Sequence, residues 1–587
     1  MASEKYEAVI IGSGFGGAIT GCRLAFKWPG KRVLVLERGK RYDLGQFPRA
    51  PHDLARNFWA LSEENIPRPP HIRKALRSQE GDFRGMFDVR NYEHMDVVIG
   101  AGLGGGSLIY ANVFLVPPDQ IFDKRWPGSC KKSALLPYYQ VAKEVLGARP
   151  IPGDGDPRRH ITRTELFQGV ARKMARNSDL VDINVFFGND FNNPLPIGHQ
   201  EKNRYGATQT SCVYCAECIV GCNYHAKNTL DLNYLFAAKH QHQAEIRTEH
   251  LAQKIVPVDS SDHDDASADG SYGYRVYFRD LVKGAPGSVL AKRVVVSAGT
   301  LGSTELLLRC KEYFRTLPRI SDKLGYYFSG NGDFLSFVLG GKAPADPNYG
   351  PTITQRIDCN LFQDFTPERA FIIEDAGYPS LLAWFVEGIK PGWFRLPAIK
   401  RFLAHLWTQL KSGKSPGVIG WALADLLSGD ISYRTSVLLC MGVDKADGIM
   451  KLGRDHRLTL EWPYRNSMSL YQGILKAGEE FRRAAEARAF IPLPTWDWPV
   501  RNNASVHPLG GCVLANDPSE GVTNADPGAF GQVFNYRGLY VADGSLVPSA
   551  IGPNPTATIS ALSERVAESI TGIQPDAGLG LTPRGRP

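Results

Sequence analysis

The chain has no run of about 18 apolar residues, so no part of it reads as a membrane-spanning helix. It also lacks a charge excess: 68 Lys and Arg stand against 60 Asp and Glu, spread along all 587 residues. A nucleic-acid binder needs a concentrated basic face, so this balance excludes nucleic acid as a partner and argues for an ordinary soluble surface. No apolar segment follows the opening Met1-Ala2-Ser3-Glu4-Lys5 before the first strand-like run, and a cytoplasmic protein is therefore expected. No internal repeat is visible. Cysteine is scarce and unevenly placed. Of ten, Cys22, Cys130, Cys310, Cys359, Cys440 and Cys512 are scattered and read as buried apolar fillers, whereas four are clustered. The length exceeds what one simple core holds and predicts two closely joined domains.

What the chain does have is a complete dinucleotide-binding unit in its first forty residues. The apolar run Ala8 to Ile11 leads into Gly12-Ser13-Gly14-Phe15-Gly16-Gly17, a small-residue helical segment continues to Phe26, and Val33 to Leu36 ends in Glu37. Gly12 permits the tight turn, Gly14 lets backbone N–H groups approach a pyrophosphate, and Gly17 packs helix on strand. The helix N-terminus presents its positive dipole end to the phosphates, and Glu37 suits a ribose diol. Further glycine-rich segments follow. They are Gly100 to Ser107, Val294 to Ser303 with Ala298 and Gly299, and Gly538 to Gly544 with Asp543. Such scattering over the whole chain favours FAD, a large and permanently held cofactor, over diffusible NAD.

On these residues the sequence resembles the glucose–methanol–choline oxidoreductase family, and within it the cholesterol oxidase branch. The resemblance extends to Gly102, Gly104, Gly105, Gly106 and Ser107 with Asn112, to His507-Pro508-Leu509-Gly510-Gly511-Cys512, to Asp543 and Gly544, and to Gly552-Pro553-Asn554-Pro555. It implies an α/β fold with a Rossmann-like FAD-binding domain built from discontinuous segments (1–115, 205–310 and 505–574). An α+β substrate domain with an antiparallel sheet would occupy 311–504, residues 116–204 would cover it, and 575–587 would form a disordered tail. The implied FAD ligands are Gly12, Gly14, Phe15, Gly17, Glu37, Gly102, Gly104, Gly105, Gly106, Ser107, Asn112, Ala298, Gly299, Asp543, Gly544 and Asn554.

The resemblance also implies a chemistry. Flavin takes a hydride from an alcohol carbon while a base removes the hydroxyl proton, the substrate being a 3-hydroxysteroid or similar hydrophobic secondary alcohol. His507 and Asn554 fall at the family's catalytic positions. A histidine holds and shares the hydroxyl proton near neutral pH, and an amide orients the oxygen without adding charge. A third candidate is Glu387, in the apolar run from Leu381 to Ile389. In cholesterol oxidases a glutamate in a similar strand is a base in oxidation and double-bond isomerisation, and apolar neighbours raise such a carboxyl's pKa.

Cys212, Cys215, Cys218 and Cys222 follow C-x2-C-x2-C-x3-C, the ferredoxin run of iron–sulfur proteins, with Asn223 where proline would follow. Three readings stand: an iron–sulfur cluster, structural thiols or disulfides, or another metal. A cluster would let electrons leave singly to a quinone or cytochrome, as in a dehydrogenase, instead of reducing oxygen directly, as in an oxidase; the sequence leaves both open. A long-chain alcohol or sugar dehydrogenase and a flavoprotein electron-transfer subunit are the rival functions. Between 390 and 427, Leu403, Leu406, Trp407 and Leu410 recur at helical spacing among lysines and arginines. That stretch suits an interfacial lid with peripheral membrane contact, or an ordinary packed helix.

Overall fold

In the computed structural model the apolar runs become buried parallel strands. Residues 4–30, 32–60, 83–123, 125–383, 430–497 and 500–580 are described, with 399–400, 402–404, 407 and 411 as isolated positions. Glu387 and most of 390–427 therefore lie outside the described residues. The described start of the Leu381 run, Ser380–Leu382, is a short 3-10 turn rather than the strand the sequence suggested.

Strand Lys5–Ile11 pairs in parallel with Val33–Leu36 on one side and with Ala285–Val296 on the other. Glu245–Arg247 extends the sheet beyond Val33–Leu36, and Leu539–Val541 runs parallel to the end of Ala285–Val296. The antiparallel strands Tyr274–Asp280 and His250–Pro257 complete seven strands. Every residue of Val33–Leu36 is buried, as is everything in the first strand beyond Lys5. A parallel sheet covered on both faces requires such continuous apolar runs. Register aligns the strand ends: Ile11 lies beside Leu36 and Val296, and Val296 beside Val541. The residues that follow, Gly12, Glu37, Ser297 and Ala542, therefore emerge at one carboxyl edge, where open α/β sheets bind ligands.

Helix Phe15–Lys27 packs against helix Thr556–Thr571. A buried bidentate pair joins them, from Arg23 Nε and Nη2 to Glu564 at 2.8 and 2.9 Å, and Tyr234 Oη donates to the same carboxylate at 2.6 Å. Fully partnered in this way, the charges are tolerated inside. Residues 575–580, assigned by sequence to the tail, lie against the body: Leu579 is buried and its carbonyl accepts from His242 Nε2 at 2.8 Å.

A second, antiparallel sheet runs Ala489–Pro492, Phe334–Leu339, Ser436–Gly442, Phe371–Ala376, Gln355–Cys359, Ser178–Leu180. Register places Glu374 opposite Leu439, Leu439 opposite Leu335, Ala376 opposite Val437, and Val437 opposite Phe337. Directly opposed residues share a face, so Glu374 stands on the same sheet face as this apolar set. Tyr378, Ile431 and Leu382 pack onto that cluster. Among the described residues no helix is long and apolar enough to cross a membrane.

Candidate active site

The glycine segments meet at the carboxyl edge of the parallel sheet because side chains would keep them apart. A Cβ on Gly16 would lie 1.4 Å from the Ala542 carbonyl oxygen, and one on Gly105 would lie 2.7 Å from Gly14 Cα. The first loop thus touches both the second and the fourth segment. Ser13 ties them further. Its Oγ donates to Glu37 Oε2 at 2.6 Å and accepts from the Gly104 N–H at 3.0 Å. Glu37 also accepts from the Ser13 N–H at 3.0 Å and from the Gly39 N–H at 2.8 Å. A carboxylate has about four acceptor sites, so Glu37 braces the loop and retains capacity for a ribose hydroxyl.

Asp543 behaves differently from a free ligand. Its carboxylate accepts from Ser545 N–H (2.9 Å), Ser545 Oγ, Gly299 N–H (3.0 Å) and Ser303 Oγ. It staples the third and fourth segments together and caps the helix Gly299–Leu308. Ser107 likewise serves the fold, donating to Gly104 O at 2.7 Å and accepting from the Leu230 N–H at 3.2 Å.

The cradle fits a dinucleotide on two observations. The N-cap Gly14 offers helix Phe15–Lys27 no side-chain cap, which leaves first-turn N–H groups for phosphate. Asn112 is fully buried in a left-handed conformation (φ 72°), with both amide atoms unpartnered. A buried amide without partners is costly, and a bound cofactor would satisfy it. Phe15 stands edge-on to Tyr110, with ring centroids 5.6 Å apart.

The turn 329–333 ties together the segments that carry the candidate residues His507 and Asn554. Asn331 Oδ1 accepts from the Ile551 and Gly552 N–H groups at 3.0 and 3.1 Å, and its Nδ2 donates to Pro553 O at 2.9 Å, fixing the loop that carries Asn554. The same turn holds His507 through Asp333, whose Oδ1 is 2.8 Å from His507 Nδ1. Asn554 Nδ2 donates to Glu374 Oε2 at 3.3 Å. Asn554 Oδ1 and Glu374 Oε1 are buried and unpartnered. Burial pushes the Glu374 carboxyl well above its ordinary range, and the charges of Asp375 and Asp333 add to the rise against the Asn554 hydrogen bond and Arg356.

His507 and Asn554 are thus brought to one place. Glu374, which the sequence did not single out, joins them, and Glu387 lies outside the described residues. The signal for Glu374 was available: the run Phe371-Ile372-Ile373 ends in two acids, an unusual thing inside a strand buried along nearly its whole length.

The expectation of an iron–sulfur site is not met by a preformed ligand set. All ten cysteines are free thiols. Cys212, Cys215, Cys218 and Cys222 line a common small cavity of about 10 Å³. Yet among the described residues no three His, Cys, Asp or Glu side chains are placed to hold a metal ion. Tyr214 and Ala216 take left-handed conformations that turn the loop, and Sγ of Cys212 and of Cys222 accept from the N–H groups of Tyr214 and Ala226 at 3.5 and 3.3 Å. Burial raises the thiols of Cys212, Cys215 and Cys222, opposed in part by backbone N–H groups. Lys227 anchors the loop to the second glycine segment, its Nζ donating to Cys218 O, Leu108 O and Tyr110 O at 2.8, 3.0 and 2.9 Å.

Two family models described as GMC oxidoreductase match the chain, an N-terminal one over residues 195–310 and a C-terminal one over 453–563. A cholesterol oxidase of Acinetobacter baumannii is 28% identical, spanning 96% of this chain and 94% of the relative. One of Mycobacterium tuberculosis strain H37Rv is 29% identical over 96% and 90%. A long-chain-alcohol oxidase of Arabidopsis thaliana is 23% identical over 96% and 68%. Among solved structures, a fungal aryl-alcohol oxidase superposes with a TM-score of 0.58 at 13% identity, covering 97% of this chain and 99% of that one. At such identity the likeness concerns the fold.

Proposed function

Because the chain belongs to the GMC oxidoreductase family and is an FAD-dependent alcohol oxidoreductase, we propose that it oxidises a 3-hydroxysteroid or similar hydrophobic ring alcohol, with oxygen as acceptor. One observation carries the substrate class: Glu374 shares its sheet face with Leu439, Leu335, Val437, Phe337 and Ala376. A sugar would need polar partners across that surface; a fused apolar ring system needs none.

Bound FAD supplies the hydride acceptor for the carbinol carbon. The protein's part is to hold the alcohol oxygen and manage its proton. His507 accepts the hydroxyl proton in this reading. Asn554 is steadied through Nδ2 by Glu374, and its Oδ1, which has no protein partner, is left to accept from the substrate hydroxyl. Glu374 takes a second acid–base role, its carboxyl held well above the ordinary range by burial. The names of the relatives, oxidases of sterols and long-chain alcohols, support oxygen as acceptor. Exposed Leu403 and Trp407, 57% and 62% accessible, support shallow contact with a lipid surface that holds such substrates.

Aerobic turnover of a 3-hydroxysteroid, a long-chain alcohol and a sugar tests the proposal. We expect ketone and peroxide in equal amounts from the steroid alone. Preferential sugar turnover would defeat the substrate class. A second reading, an iron–sulfur dehydrogenase reducing a quinone or cytochrome, is favoured only by the cavity that the four thiols share. It requires the loop to close around a cluster.

A further inference from the structure

The geometry points to Asp333 as a positioning residue that fixes the tautomer of His507 and leaves Nε2 as the proton acceptor. The inference rests on the proposal that His507 is the base. Asp333 comes from the turn before strand Phe334–Leu339, 174 residues from the histidine, and its side chain is 2% exposed.

Both oxygens of Asp333 act as acceptors. Oδ2 takes the Val506 N–H at 2.8 Å, the His507 N–H at 3.1 Å and Ser505 Oγ at 3.0 Å. Oδ1 faces His507 Nδ1 at 2.8 Å. The Val506 N–H has Oδ2 as its acceptor, and the His507 N–H is shared between Oδ2 and Ser505 Oγ, each at 3.1 Å, so Oδ2 is committed as an acceptor and the Oδ1 contact is satisfied when Nδ1 carries the proton. The hydrogen bond made by one imidazole nitrogen decides the state of the other, so Nε2 keeps its lone pair. No hydrogen bond to Nε2 occurs among the described residues.

The turn itself is held from behind. Asp444 accepts from Ser329 Oγ, Gly330 N–H and Gly332 N–H at 2.7, 3.0 and 3.1 Å. The carboxylate therefore has a fixed position against which the ring is set. When the alcohol proton passes to Nε2, the imidazolium keeps its Nδ1 proton and Asp333 gains none; its charge stabilises the cation so formed.

Asp333→Asn tests this. The amide oxygen can still accept from Val506 and His507, which turns the amide N–H2 toward Nδ1. That favours the opposite tautomer, with Nε2 protonated and unable to accept. The limiting rate of anaerobic flavin reduction should fall by about 10²-fold or more, approaching roughly 10⁴-fold as when the carboxylate behind a triad histidine is made an amide. The apparent substrate dissociation constant should stay near the wild-type value. Nitrogen-15 spectra of histidine-labelled protein, with His507 assigned by its loss in His507→Ala, should show Nε2 unprotonated in wild type and protonated in Asp333→Asn. An unchanged rate in a variant with full flavin overturns the inference. Should that variant lose flavin, wild-type spectra with protonated Nε2 overturn it independently. If His507→Ala itself reduces flavin at the wild-type rate, the catalytic assignment fails instead, so the two failures are distinguishable.

Discussion

Glu374→Gln replaces a buried acid with a near-isosteric amide and can be read through stability as well as activity. The amide oxygen still accepts from Asn554 Nδ2, and the amide nitrogen takes the place of the unpartnered Oε1. Burial raises the folded-state pKa of Glu374, so the native protein keeps this proton at pH values where the unfolded chain has released it. Stability changes with pH in proportion to protons bound by the unfolded state minus those bound by the native state. That difference is minus one for this group between its unfolded and folded pKa values. Wild type therefore loses stability as pH climbs through that window, at up to about 1.4 kcal/mol per pH unit. The glutamine variant lacks the slope. With an unfolding entropy of roughly 2 cal/mol/K per residue, its Tm advantage should grow by about 1 °C per pH unit. Differential scanning from pH 5 to 8 on both proteins would measure it. Parallel Tm curves would show Glu374 ionised in the native state and refute the reasoning. Oxidation should persist in the variant, while any double-bond migration in a steroid product should be lost.

Gly16→Ala should prevent assembly of the cofactor cradle, since the new Cβ would meet the Ala542 carbonyl oxygen at 1.4 Å. Overpacking against backbone costs about 1–3 kcal/mol or more, and the flavin-to-protein absorbance ratio should fall sharply; full occupancy would contradict the packing. Breaking the Arg23–Glu564 pair by Glu564→Gln leaves a buried arginine without its counter-charge and should destabilise by about 3–5 kcal/mol, visible in thermal denaturation. Protein purified anaerobically should carry flavin without iron or labile sulfide, as metal analysis would show. Iron at cluster stoichiometry, lost in Cys215→Ser, would establish the dehydrogenase reading.

The cofactor half of the fold was readable because its determinants are local. Continuous apolar runs such as Val33 to Leu36 announce strands buried on both faces, and glycine spacing announces where backbones must touch. The substrate half depends on pairing between distant strands. Nothing near Glu374 in sequence says that it faces Leu439, sixty-five residues on. Asp333 follows Gly330-Asn331-Gly332, which reads only as a turn; its meeting with His507 is made by tertiary structure. Asp543 shows the converse. Its motif is recognisable, but the four hydrogen bonds that engage its carboxylate are not. The cysteine spacing likewise gives an order of ligands and not the left-handed turns at Tyr214 and Ala216.

The most direct test mixes enzyme and a 3-hydroxysteroid without oxygen and follows the flavin absorbance in wild type and His507→Ala. Wild type should bleach within the mixing experiment, and the variant should retain FAD yet bleach about 10²-fold or more slowly. Equal rates in the two proteins, or no bleaching of wild type by any hydrophobic alcohol, would contradict a site built on His507, Asn554 and Glu374.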